Sequence, residues 1–160
     1  PPFIKDMCSN DMLLAIIVEM AKCSLGQCLI IFDKIKDCLR IIMINVNGAQ
    51  CISFLMKCFN EQICLFDGKI IGRENVIHAS KFIMTQIEKN RPLQLLKTTH
   101  TACIIEEALQ SPLCTHSIKK NLLDNIEVVK QIPDRVNILK LIQQTGESRE
   151  CEDRAAALLS

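Results

Sequence analysis

The sequence predicts an all-α protein folded as a single domain, and three observations lead there. Glycine and proline are scarce, five of each in 160 residues, and Gly26, Gly48, Gly68, Pro92, Pro112 and Pro133 follow one another at intervals of 20 to 24, with Gly146 last. Segments of that length exceed ordinary strands and suit helices of four or five turns joined by short connections. Within them apolar residues recur at i, i+3, i+4 and i+7, the stripe of an amphipathic helix. The aromatic residues that strands favour are reduced to six Phe, with neither Trp nor Tyr.

Along the chain the expected helices are 9–25, 27–47, 49–66, 73–90, 93–110, 112–131, 133–145 and 147–159. In the second, Cys28, Ile31, Phe32, Ile35, Leu39, Ile42, Met43 and Val46 share a stripe, while Asp33, Lys34, Lys36, Asp37 and Arg40 fall mostly elsewhere. Asn47-Gly48 between apolar runs also fits a β-hairpin. The unbroken run Ile41 to Ile44 lacks strand alternation and favours a buried helix. Cys51, Leu55 and Cys58 line the third helix. In the sixth, Ser111 is the expected N-cap with Pro112 at the first helical position, ahead of Ile118, Leu122, Ile126 and Val129. Pro133 then opens the seventh, with Val136, Leu139 and Ile142.

Composition narrows the function. A chain that is 49% hydrophobic can bury one core, and a formal charge of +1 supplies no field that would gather nucleic acid. No window offers the ~18 uninterrupted apolar residues of a membrane span. The start, PPFIKDMCSND, has no signal-peptide character and no initiating Met, so the expectation is a fragment of a longer intracellular protein, cytoplasmic or nuclear.

The ten cysteines are Cys8, Cys23, Cys28, Cys38, Cys51, Cys58, Cys64, Cys103, Cys114 and Cys151. None forms the tight paired spacing of a zinc site, and His78, His100 and His116 are isolated. Disulfides would require an oxidising compartment, whereas a free thiol packs like a small hydrophobe. The thiols are therefore expected in the core, with no metal and no cofactor. Cys114 with His116 is the one pair to weigh as a nucleophile and its base, but residues two apart diverge on a helix and no third group is identifiable. Glu106-Glu107 reads as a solvated face. LFDGKIIGRENV lacks both phosphate-cradling glycine patterns. No catalytic constellation emerges, and the chain is not expected to be an enzyme.

Five successive intervals of 20 to 24 residues make a doubled unit of about 42. That period resembles armadillo and HEAT repeats. CEDRAAALLS is similar to the start of a HEAT second helix, and SIKKNLLDNI, with Asn121 and Asn125, to the Asn-bearing inner helix of an armadillo unit. The resemblance implies an α-solenoid segment of about eight helices serving as an interaction scaffold; the alternative is a compact helical bundle. The expected partner is another protein, bound as a peptide or helix, with Lys120, Asn121, Asp124, Asn125 and Lys140 as the candidate surface. Homo- or hetero-oligomers are also compatible with uncovered solenoid ends. The alternative function is nucleic-acid binding through Lys119, Lys120, Lys130, Arg135 and Lys140, although acidic residues interleave with them.

Overall fold

Ser24 caps the first described helix, its hydroxyl accepting from the Gln27 amide at 3.2 Å. The computed structural model describes residues 24–144 and 149–160, together with Asn10, Ala15 and Glu19. The expected helix 9–25 lies almost wholly outside them. From Ser24 the chain forms α1 (Leu25–Ile35), a 3-10 turn at Lys36–Cys38, and α2 (Leu39–Ile42). The stripe Cys28, Ile31, Phe32, Ile35, Leu39, Ile42 and Met43 is buried as expected, but Val46 is 43% exposed. It has left that stripe because it begins a new helix, α3 (Val46–Asn60). Asn45 causes the restart by accepting from the amides of Asn47 and Gly48 at 3.0 and 3.2 Å. Asn47-Gly48 thus forms a first helical turn and no hairpin.

A hairpin does follow, where the third helix was expected to run to residue 66. β1 (Ile63–Phe66) pairs antiparallel with β2 (Lys69–Gly72), placing Cys64 opposite Ile71 and Leu65 opposite Ile70. Asp67 and Gly68, with φ of 50° and 70°, both take the left-handed conformation that a type I′ two-residue turn demands. The fold is therefore predominantly helical with one small sheet among the described residues.

α4 (Glu74–Lys89) forms close to its expected bounds. The next expected helix divides into α5 (Pro92–Leu96) and α6 (Thr99–Gln110) because Thr98 is extended. Thr101 bonds both the Thr98 hydroxyl, at 2.7 Å, and the Leu95 carbonyl, so threonine hydroxyls hold the break. α7 (His116–Asp124) starts later than expected. Ser111 spends its hydroxyl on the Leu113 amide at 3.2 Å, keeping Pro112 in a turn, and Thr115 caps α7 through the Ile118 amide at 3.4 Å. Asn125 separates α8 (Ile126–Val129), Pro133 likewise sits in a turn, and α9 (Arg135–Gln144) and α10 (Arg149–Leu159) complete the order. Ile138, Leu139 and Ile142 of α9 are buried, whereas Val136 is 48% exposed in its first turn.

The helices pack in two rows. One row runs α1–α2, α4, α7–α8, α10, each against the next; the other runs α3, α5–α6, α9. Contacts between rows join α1 and α2 to α3, α3 to α4, α5 to α7 and α8, and α9 to α10. Among the described residues, no extended contact links helical segments more than two places apart in this order. Between the rows lies the core, with Ile42, Ile52, Leu55, Phe59, Ile83, Ile104 and Leu122 all inaccessible or nearly so. Phe32 meets Phe59 and Phe82 edge-on, at centroid distances of 6.2 and 5.8 Å. Among the described residues no helix is long and apolar enough to cross a membrane.

Candidate functional site

A groove separates α1–α2 from α4 on the first row. It consists of two adjoining depressions, of about 780 and 660 Å³, which share Lys36, Asp37 and Phe82. At the first, Leu29, Phe32 and Phe82 give an apolar floor, and Asp33, Asp37, Glu74 and His78 stand around it. At the second, Leu39, Ile41 and Ile44 continue the apolar surface towards Gln86 and Asn90. Ile41 and Ile44 are 45% and 69% exposed, a large apolar surface to leave in water without a use.

The 3-10 turn at Lys36–Cys38 lines both depressions. The apolar stripe runs through that turn at helical spacing, burying Ile42 and Met43 and leaving Ile41 and Ile44 outside. The far end is fixed by Asn90, whose side chain accepts from Arg40 Nε at 3.3 Å and donates to Met43 Sδ at 3.3 Å. Around the rim, Asp33 is paired with Lys36 at 2.6 Å, and that partner holds its carboxyl below the ordinary range. Asp37 and Glu74 are exposed acids with no neutralising ion pair among those of the described residues. The groove is thus an apolar channel bordered by Asp33, Asp37 and Glu74 at its first depression and by Lys36, Asp37 and Arg40 at its second.

The residues singled out from sequence lie elsewhere, Lys120, Asn121, Asp124 and Asn125 on α7 and its end and Lys140 on α9. Lys120 and Asp124 are exposed on α7, and Asp124 is engaged by Arg154 of α10 at 3.0 Å. Asn121 and Asn125 are half-buried and tie the end of α7, the Asn125 amide donating to the Asn121 carbonyl at 2.7 Å. Lys140 is exposed on α9, in the other row. Of the basic set weighed for nucleic acid, Lys119 is 1% exposed, Lys130 pairs with Glu127 at 2.9 Å, and Arg135 donates to the Lys130 carbonyl at 3.1 Å. Of the five, Lys119 is the buried one, and Lys120, Lys130, Arg135 and Lys140 are exposed.

The histidine weighed beside Cys114 meets another thiol, and the reading of Glu106-Glu107 changes. His116 Nδ1 lies 3.6 Å from Cys151 Sγ, whereas Cys114 Sγ approaches the Thr115 carbonyl at 3.9 Å. The histidine therefore faces a thiol 35 residues away in sequence, invisible to local spacing. Glu106 and Glu107 are half-buried and do not form a solvated face. Burial, then the Asp134 carboxylate bonded to it, pushes the Glu106 carboxyl up, and burial does the same to Glu107. Glu106 and Asp134 border a smaller hollow of about 400 Å³ between α6 and the turn before α9.

None of the eight cysteines of the described residues is in a disulfide, and Cys28, Cys51, Cys114 and Cys151 are buried. Cys64 is exposed on β1; Cys8 and Cys23 lie outside the described residues. Among the described residues no group of three His, Cys, Asp or Glu side chains is arranged to hold a metal ion. Comparison with protein-family models, with curated proteins and with solved structures finds no match to this chain.

Proposed function

We propose that this chain is a helical-repeat, protein-binding module that holds an amphipathic helix of a partner protein, apolar on one side and basic along its flanks, in the groove between α1–α2 and α4. The observation that carries the reading is the groove itself, an apolar floor running alongside α4 from Glu74 to Asn90, about 24 Å at the helical rise, with Asp33, Asp37 and Glu74 around its first depression. Four or five turns of a partner helix match that length, with anchors at i, i+3, i+4 and i+7. The helical-repeat part is supported by the two-row order, in which each segment packs on its neighbours one and two places away. Stacking of that kind exposes a row of parallel helix faces, and α7 with Lys120 continues the row that carries the groove.

The test is selection from a displayed library of helical peptides, followed by titration of the selected sequences. Peptides with the apolar helical stripe flanked by Lys or Arg are expected. Ile44→Glu and Asp37→Lys, both on exposed positions, should each weaken binding by about tenfold without lowering the melting temperature. Selected peptides without basic flanks, or undiminished affinity in both variants, would contradict the reading.

A further inference from the structure

The β1–β2 hairpin leaves apolar side chains in water on both its faces. Leu65 and Ile70, opposite one another on one face, are 50% and 37% exposed; on the other, Phe66 and Ile71 are 70% and 50% exposed beside the exposed Cys64. A two-stranded hairpin is marginal by itself in water, and this one exposes four large apolar side chains, the kind of surface that marks interaction sites. Its edges matter as much as its faces. In a two-residue hairpin the pair flanking the turn, here Phe66 and Lys69, is hydrogen-bonded, so by alternation Leu65 and Ile63 direct N–H and C=O outward from β1.

The two edges differ in protection. β2 carries Lys69 and is followed by Arg73, charges of the kind that deter strand pairing, while Ile63, Cys64, Leu65 and Phe66 of β1 include no charge, proline or bulge. We infer that the outer edge of β1 docks an extended segment of another protein, an apolar strand flanked at each end by lysine or arginine. This rests on the hairpin alone and is independent of the α4 groove.

Charge and geometry select that occupant. β1 is bracketed by exposed acids, Glu61 before it and Asp67 after it. An antiparallel strand therefore meets a carboxylate near each end, and β2 already answers this pattern on the inner edge with Lys69 and Arg73. A second copy fails in each arrangement. Two-fold pairing of β1 with β1 sets Glu61 near Asp67 of the other copy, acid against acid, and two-fold pairing of β2 with β2 brings Lys69 and Arg73 together. Head-to-tail pairing of β1 on β2 would repeat every two strands, about 10 Å, which is narrower than two rows of helices each about 10 Å across.

The test uses the synthetic peptide acetyl-Lys-Val-Ile-Val-Ile-Lys-amide, N-methylated at alternate amides so that it cannot stack on itself, titrated by fluorescence anisotropy into the full chain. Binding is expected for one methylation phase and loss for the other, because only one phase leaves free the amides that face β1. Replacing the terminal lysines by glutamate should weaken binding about fivefold at low salt, and Glu61→Lys with Asp67→Asn should reverse that preference while keeping the turn chemistry. Ile44→Glu, in the groove, should leave it unchanged. Equal affinity for both methylation phases, no binding of either, or concentration-dependent oligomers of the chain alone that Leu65→Glu abolishes, would overturn the inference.

Discussion

Gly48 lies so close to Ile42 that a β-carbon on it would stand 2.2 Å from the Ile42 carbonyl oxygen and 2.7 Å from the Ile42 side chain. The contact closes the tight turn between α2 and α3, where the Asn45 amide also bonds the Ile42 carbonyl at 3.1 Å. The turn fixes where α3 departs relative to the groove floor. Gly48→Ala should accordingly destabilise by about 3 kcal/mol, since backbone must shift to admit the methyl. Gly68 is the contrast: its φ of +70° is unfavourable for alanine, but nothing lies within 4 Å of the added carbon. Gly68→Ala should cost about 1 kcal/mol. Denaturant unfolding of both variants checks the order, and a smaller loss at Gly48 would contradict the turn.

Thiol reactivity should follow position. Cys64 is exposed, Cys28 and Cys51 are wholly buried, and burial pushes the half-buried Cys58 and Cys103 thiols up, disfavouring the reactive thiolate. Timed alkylation with peptide mapping should modify Cys64 before any of these four. Modification of Cys28 or Cys51 at the rate of Cys64 would show that the α1–α3 core opens readily.

Glu106 gives the fold a pH dependence. Its carboxyl is raised above the ordinary 4.5, chiefly by burial and then by Asp134. Between that ordinary value and the higher folded one, the folded chain binds more protons than the unfolded chain, so stability increases as pH falls through the window. Glu107, raised by burial, acts in the same direction. Glu106→Gln should raise the melting temperature at pH 7 and flatten its rise towards pH 4.5. A variant that melts lower at neutral pH with an unchanged slope would contradict this.

Ser80 is 3% exposed on α4, and its hydroxyl oxygen has no hydrogen-bond partner among the described residues. Ser80→Ala removes a buried polar group and favours the helix, so it should stabilise by about 1 kcal/mol in chemical denaturation. A loss of stability would reveal a bond that the hydroxyl makes.

Helices were legible where a stripe was long. Cys28 to Met43 carries enough apolar positions for the period to declare itself, and those positions are buried. The hairpin was misread because a four-residue strand is too short to show alternation, and breaker spacing assigned Ile63–Phe66 to the preceding helix. Asp67-Gly68 between apolar runs was the available signal. At Ser111 and Thr115 two residues could cap the same helix, and only the packed turn decides between them. The groove had no sequence motif, because α1–α2 and α4 build it from segments far apart in sequence, brought together by Phe32 and Phe82, 50 residues apart. Only the surplus of Ile41 and Ile44 beside the stripe hinted at a second apolar surface.

The most direct measurement of the central claim is hydrogen exchange of the chain alone and bound to a library-selected basic amphipathic peptide, read by mass spectrometry. Added protection confined to residues 29–44 and 74–90 is the result this account predicts, with α7, α9 and α10 unchanged. Protection centred on Lys120, Asp124 and Arg154, with none along α4, would contradict it.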